Sequence, residues 1–100
     1  MPYVREHDRK VLDDEILKLL ARLRRLGHDG MEGRLNYVIT MLLTGTMPAG
    51  FGYKHINRAI GILGCVQQEF YRRLVAPYED KKIEENGDLL PFEKVEDTNG

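Results

Sequence analysis

Ile56-Asn57-Arg58-Ala59-Ile60-Gly61-Ile62-Leu63-Gly64-Cys65-Val66-Gln67-Gln68-Glu69-Phe70-Tyr71-Arg72-Arg73-Leu74-Val75 decides the fold. Ile56, Ile60, Leu63, Phe70 and Leu74 recur at helical spacing and share one side of a helix that the pattern carries from about Tyr53 to Val75. Gly61 and Gly64 interrupt it, and each costs about 1 kcal/mol relative to Ala in a helix interior. A close backbone approach would compensate. Gly61, Gly64 and Cys65 therefore read as a smooth strip for another helix, from this chain or from a second copy, and self-association through it is the expectation.

Two shorter helices precede this one. From Asp13 to Leu26, the residues Ile16, Leu19, Leu20, Leu23 and Leu26 form a stripe. Asp13, Asp14 and Glu15 suit a helix start, Arg22, Arg24 and Arg25 suit its end, and Gly27 supplies a stop. After the loop His28-Asp29-Gly30, Leu35, Val38, Ile39 and Leu42 mark a second helix over Glu32–Thr44, with Gly45 as its stop. Thr46 to Gly52 is a breaker-rich loop. Downstream, Pro77 is expected to end or redirect the long helix and to open a short fourth one running to Glu85, stopped by Asn86-Gly87. The fold class expected is all-α: a small bundle of three main helices plus a short C-terminal helix. One helical domain spans 1–88, followed by an acidic, flexible tail over 89–100.

Charge is distributed unevenly. Residues 1–78 hold 12 Lys/Arg and 8 Asp/Glu, a balance of +4, whereas residues 79–100 hold 3 and 8, a balance of −5. The tail reads as solvated, or as docking on a basic patch of its own or a neighbouring subunit. Nucleic acid is disfavoured as a partner: Arg22, Arg24 and Arg25 cluster, but the acidic end opposes phosphate attraction. Cys65 is the one cysteine, so no intrachain disulfide forms, and it is expected to pack as a small apolar residue. No apolar run approaches the ~20 residues of a membrane span, and no signal-peptide core opens the chain. A cytoplasmic setting is expected, that of the host cell if the protein is phage-encoded.

Catalytic and metal motifs are missing from the sequence. His7, His28 and His55 fall in separate segments, without H-E-x-x-H or paired cysteines, so neither a metal nor a cofactor is expected. Glu84, Glu85 and Asp88 resemble half of the E-x-x-D metal site of all-α nucleotide pyrophosphohydrolases, but Asn86-Gly87 and Pro91 break the helix such ligands need, and no E-x-x-E partner lies upstream. The stronger cluster is Tyr71-Arg72-Arg73 followed by Tyr78, Lys81 and Lys82. Forked guanidinium donors fit phosphate, and tyrosine rings stack on bases. Asn36 and Tyr37 could join the same wall. The plainer alternative pairs the arginines with Glu79, Asp80 or Glu84 on the surface.

Several of these stretches carry a resemblance. Met1-Pro2-Tyr3-Val4 with Asp8-Arg9-Lys10, Leu35-Asn36-Tyr37-Val38-Ile39, Ile60-Gly61-Ile62-Leu63, and Glu69-Phe70-Tyr71-Arg72-Arg73 leading into Ala76-Pro77-Tyr78-Glu79-Asp80-Lys81-Lys82-Ile83-Glu84-Glu85-Asn86-Gly87-Asp88 resemble a family of small bacteriophage and mobile-element proteins. The likeness spans roughly residues 1–88. It departs at Gly64, where an acidic residue is expected, in the Gly-rich insert between helices two and three, and in the tail. It implies a phage-type origin and brings neither an activity nor catalytic residues. The function expected is a non-enzymatic, oligomeric binding protein that sequesters a phosphorylated small molecule such as a nucleotide immune signal. The alternatives are a metal-dependent nucleotide hydrolase using Glu84, Glu85 and Asp88, and a protein-only adaptor or inhibitor of a host factor.

Overall fold

The protein is described from a computed structural model, which covers residues 4–92. The N-terminal Met1-Pro2-Tyr3 and most of the expected acidic tail, residues 93–100, lie outside the described residues. The fold is all-α: 81% of the described residues are helical and none is in a strand. In chain order come α1 (Glu6–Arg25), α2 (Met31–Gly45), α3 (Tyr53–Phe70), a π-helical segment (Tyr71–Val75) and α4 (Ala76–Asn86). The chain divides into two compact units, Met1–Ile56 and Asn57–Gly100.

In the first unit, α1 begins seven residues before the expected Asp13. Its first five residues, Glu6–Lys10, are polar and so carry no stripe. The extension is helical because nothing in Glu6–Leu12 breaks a helix and because Lys10 pairs with Glu6 one turn back, at 3.8 Å. Glu6 and Asp8 lie at the positive end of the helix dipole, while Arg22, Arg24 and Arg25 lie at the negative end. The helix closes at Leu26, and Gly27 then takes the left-handed conformation (φ 85°) that a side chain would strain.

Arg34, on the first turns of α2, fixes the α1–α2 connection. Its Nη1 donates to the Gly27 carbonyl at 2.9 Å, and its Nη2 donates to the carbonyls of Leu26 (3.2 Å) and Asp29 (2.5 Å). Helix C-termini leave carbonyls without intrahelical donors, and one forked cation here serves the end of α1 and the loop together. Leu23, a turn before this junction, is the one buried residue among the described residues (7% exposed). Ile16, Leu19, Leu35, Ile39 and Leu42 remain open to solvent.

At the other end of α2, Gly45 is the last helical residue rather than the stop. The chain leaves the helix at Thr46, whose hydroxyl donates back to the Leu42 carbonyl at 2.7 Å. α3 starts with a side-chain cap that its sequence does not advertise. His55 Nδ1 accepts the Gly52 backbone N–H at 2.9 Å, the reach-back bond that Glu or Gln makes in a capping box.

In the second unit, Pro77 does not end the helix. It lacks an N–H, and its ring would clash with the carbonyl four residues back, that of Arg73. The chain widens instead. Ala76 N–H donates to Tyr71 O, five residues back, and α4 continues from helical dihedrals at Val75 (φ −74°, ψ −50°). The helix runs to Asn86, and Gly87 (φ 80°) turns the backbone. None of α2, α3 or α4 has a buried residue.

Arg34→Ala should destabilise the α1–α2 unit by about 1–2 kcal/mol, toward the lower end for hydrogen bonds to charged groups because two of its three carbonyl bonds are exposed. Arg34→Lys should recover only part of this, since an ammonium cannot span three carbonyls. Denaturant melts of the three proteins measure it.

Candidate functional site

The π segment and α4 carry the residues expected to bind an anion, and the structure pairs most of them locally. Glu69, the most sheltered of the group (28% exposed), braces both arginines: its Oε1 accepts from Arg73 Nε at 2.8 Å, and its Oε2 lies 3.7 Å from Arg72 Nη2. The expected carboxylate partners were Glu79, Asp80 and Glu84. The correction follows from helix geometry, because Glu69 sits three and four residues before the arginines, one turn away on the same side.

Tyr71 and Glu79 are eight residues apart and meet across the π segment, where the Tyr71 hydroxyl donates to Glu79 Oε2 at 3.4 Å. Lys82 donates to Glu85 Oε2 at 3.3 Å, and its ammonium stands 5.6 Å from the centre of the Tyr78 ring, within cation–π range. Lys81 has no such partner among the described residues. Arg72 is two-thirds exposed, and its long contact with Glu69 leaves most of its forked donors to solvent. Asn36 and Tyr37 stand on α2, in the first unit, whereas the Tyr71–Lys82 cluster stands in the second.

Two grooves in this unit have volume, and the smaller, of about 310 Å³, is bordered by Gln67, Gln68 and Tyr71. Tyr78, Lys82, Ile83, Gly87, Leu89 and Phe92 contribute to a cleft of about 420 Å³, within the range of small-molecule sites. Glu79 and Asp88 also border it, so its charge is mixed. It exists because Gly87 turns the chain and Asp88 Oδ1 accepts the Leu89 N–H at 2.8 Å, starting the return of the chain along α4. Sequence reasoning found Tyr78 and Lys82 but missed Leu89 and Phe92. The Asn86-Gly87 turn signal was the available clue. Among the described residues no three His, Cys, Asp or Glu side chains converge to hold a metal ion, and Glu84, Glu85 and Asp88 do not assemble. His55 serves as a helix cap.

Cys65 is exposed, not packed as a small apolar residue, on a side of α3 that the described residues of its own unit leave open. A Cβ added at Gly61 or Gly64 would meet no atom within 4 Å. At 100° per residue, Gly61 and Gly64 lie about 160° and 100° round α3 from Leu63, off the stripe of Ile56, Leu63 and Phe70. α3 thus presents an apolar side and a separate small-residue side.

No helix among the described residues is long and apolar enough to cross a membrane. No curated protein and no solved structure matches the chain. Residues 1–89 match the model of the family described as Domain of unknown function (DUF6899), and the chain belongs to that family.

Pro77→Ala restores the N–H that the α-helical pattern needs. The π turn should then relax toward α, and the Tyr71–Glu79 hydrogen bond should be lost as α4 rotates. Backbone chemical shifts over Tyr71–Val75 and the Tyr71 ring resonances report both changes.

Proposed function

We propose that this family member is a small oligomeric binding protein of phage type, which gathers a phosphorylated small molecule on the Tyr71–Lys82 segment. The observation that carries the oligomeric part is the exposure of apolar stripes. Ile16 and Leu19 on α1, Leu35 and Leu42 on α2, and Ile60 and Phe70 on α3 are all open in the single chain. Soluble proteins rarely leave so much large aliphatic surface uncovered unless another surface meets it.

The chemistry of the segment supports the ligand class. Arg72 offers open forked donors, Lys81 a second cation, and Tyr78 an exposed ring already facing a cation beside an open cleft of about 420 Å³. A phosphate would take the outer side of Arg72 while Glu69 keeps Arg73 in place. Asn36 and Tyr37, on α2 of the first unit, are proposed as further polar and aromatic contacts for the same ligand. The hydrolase alternative lacks comparable support, since its carboxylates do not gather. A protein-only adaptor would use the same apolar faces without the cationic ones.

Native mass spectrometry, with calorimetric titration of linear and cyclic nucleotides, tests the reading. The expected results are a mass above 11.6 kDa and nucleotide binding without turnover. Arg72→Ala should weaken that binding by about 1.5–3 kcal/mol, the range for charged hydrogen bonds. Its melting temperature should hardly move, because an exposed ion pair contributes only about 0–1 kcal/mol. Absence of nucleotide binding, with variants that melt well below wild type, would retire the ligand class and leave the adaptor.

A further inference from the structure

The three long helices carry a tighter pattern than amphipathicity alone. On α1, Leu12, Ile16, Leu19, Leu23 and Leu26 alternate four and three residues apart, the spacing of a heptad seam with Ile16 and Leu23 at a and the others at d. Ile56, Ala59, Leu63, Val66 and Phe70 on α3 repeat it, as do Met31, Leu35, Val38 and Leu42 on α2. The seams differ at their flanks. α2 and α3 have further aliphatic residues there, such as Ile39, Met41, Ile60 and Ile62, and so specify no orientation. α1 is flanked mostly by charge: Asp8, Glu15 and Arg22 fall at g, while Asp13 and Leu20 fall at e.

Flanking charges decide how two copies of such a helix pair. In a parallel pair, g meets the following e of the other helix, which sets Asp8 against a second Asp13 and gives Glu15 and Arg22 no ionic partner. In an antiparallel pair, g meets g. With Ile16 facing the other copy's Leu19, and Leu12 facing its Leu23, Glu15 lies across from the other copy's Arg22, and the two-fold axis repeats the pair. The single chain leaves these groups available. Arg22 has no ion-pair partner among the described residues, and Glu15 has only a long 3.7 Å contact with Lys18 between strongly exposed side chains. The seam's own Leu12, Ile16, Leu19 and Leu26 are 38–56% exposed in the single chain, so the apolar contact that such a pair needs is open.

We infer that a second copy of this chain docks antiparallel along the α1 seam, with two symmetry-related Glu15–Arg22 pairs fixing register and direction. This rests on the oligomeric reading and names the surface it uses. Both residues are exposed on α1, so exchanging them leaves the fold of one chain alone.

Sedimentation equilibrium of the full-length protein, with Arg22→Glu, Glu15→Arg and the double exchange, tests it, and circular dichroism checks helix content. The expected wild type is a dimer or an even multiple. Each single reversal sets like charges together twice and should weaken assembly on the order of tenfold at low salt. The double exchange restores opposite charges and should bring assembly back to within about threefold, with the contrasts shrinking in 1 M salt. If the wild type assembles but the single reversals have no effect, or the double exchange is no better than either, the α1 surface is wrong while the oligomeric reading survives. A wild-type mass of 11.6 kDa throughout the micromolar range overturns both.

Discussion

An amphipathic helix in water is marginal until its apolar side is covered, and this requirement governs the molecule. Three long helices each carry such a side, yet only Leu23, beside the Arg34-braced turn, is buried among the described residues. The local devices are in place: Arg34 on the end of α1, His55 at the start of α3, and Thr46 at the end of α2. They set where each helix begins and ends. They do not cover Ile16, Leu42 or Phe70, and caps contribute far less than burial of such side chains. The stripes, not the caps, therefore point to what the chain does with other molecules.

The charged segment shows the opposite economy. Arg72 and Arg73 share Glu69, Tyr71 leans on Glu79, and Lys82 divides itself between Glu85 and the Tyr78 ring. Each of these contacts is local and exposed, so each is individually weak. A ligand with phosphate oxygens need displace only the outermost of them, the long contact of Arg72. The segment thus holds its cations by local contacts, with Glu69, the least exposed of its carboxylates, shared by Arg72 and Arg73.

Much of this was legible in the sequence, and the exceptions have physical causes. Apolar periodicity located α1, α2 and α3 because stripes such as Leu35–Val38–Ile39–Leu42 fit a helix and nothing else of that length. The first turns of α1 were invisible for the complementary reason, since Glu6–Lys10 has no apolar member. Arg34 reads as one more surface cation until the turn brings three carbonyls to it. Glu69 was recoverable from spacing alone, since its arginines lie three and four residues downstream, but the acidic run beyond Pro77 offers more numerous carboxylates. The groove beside α4 needed Gly87 to fold Phe92 back, a tertiary event that no periodicity encodes.

The π segment has a consequence for how this helix can change over generations. A π turn accommodates one residue more than the α turn it replaces, so Tyr71–Val75 acts as a phase shifter between α3 and α4. In an unbroken α-helix, Tyr78 would stand about 80° round the axis from Phe70, and the extra residue brings it back to within about 20°. The sides of α3 and α4 are thus geared to each other by a single residue. Losing one codon within this stretch would close the π turn to an α turn and leave Phe70 and Tyr78 within about 20° of each other, whereas the same loss in α1 would scramble the side that carries Ile16 and Leu23. Among the described helices this is the place where length can drift within a helix without misaligning its faces, and it holds Arg72 and Arg73.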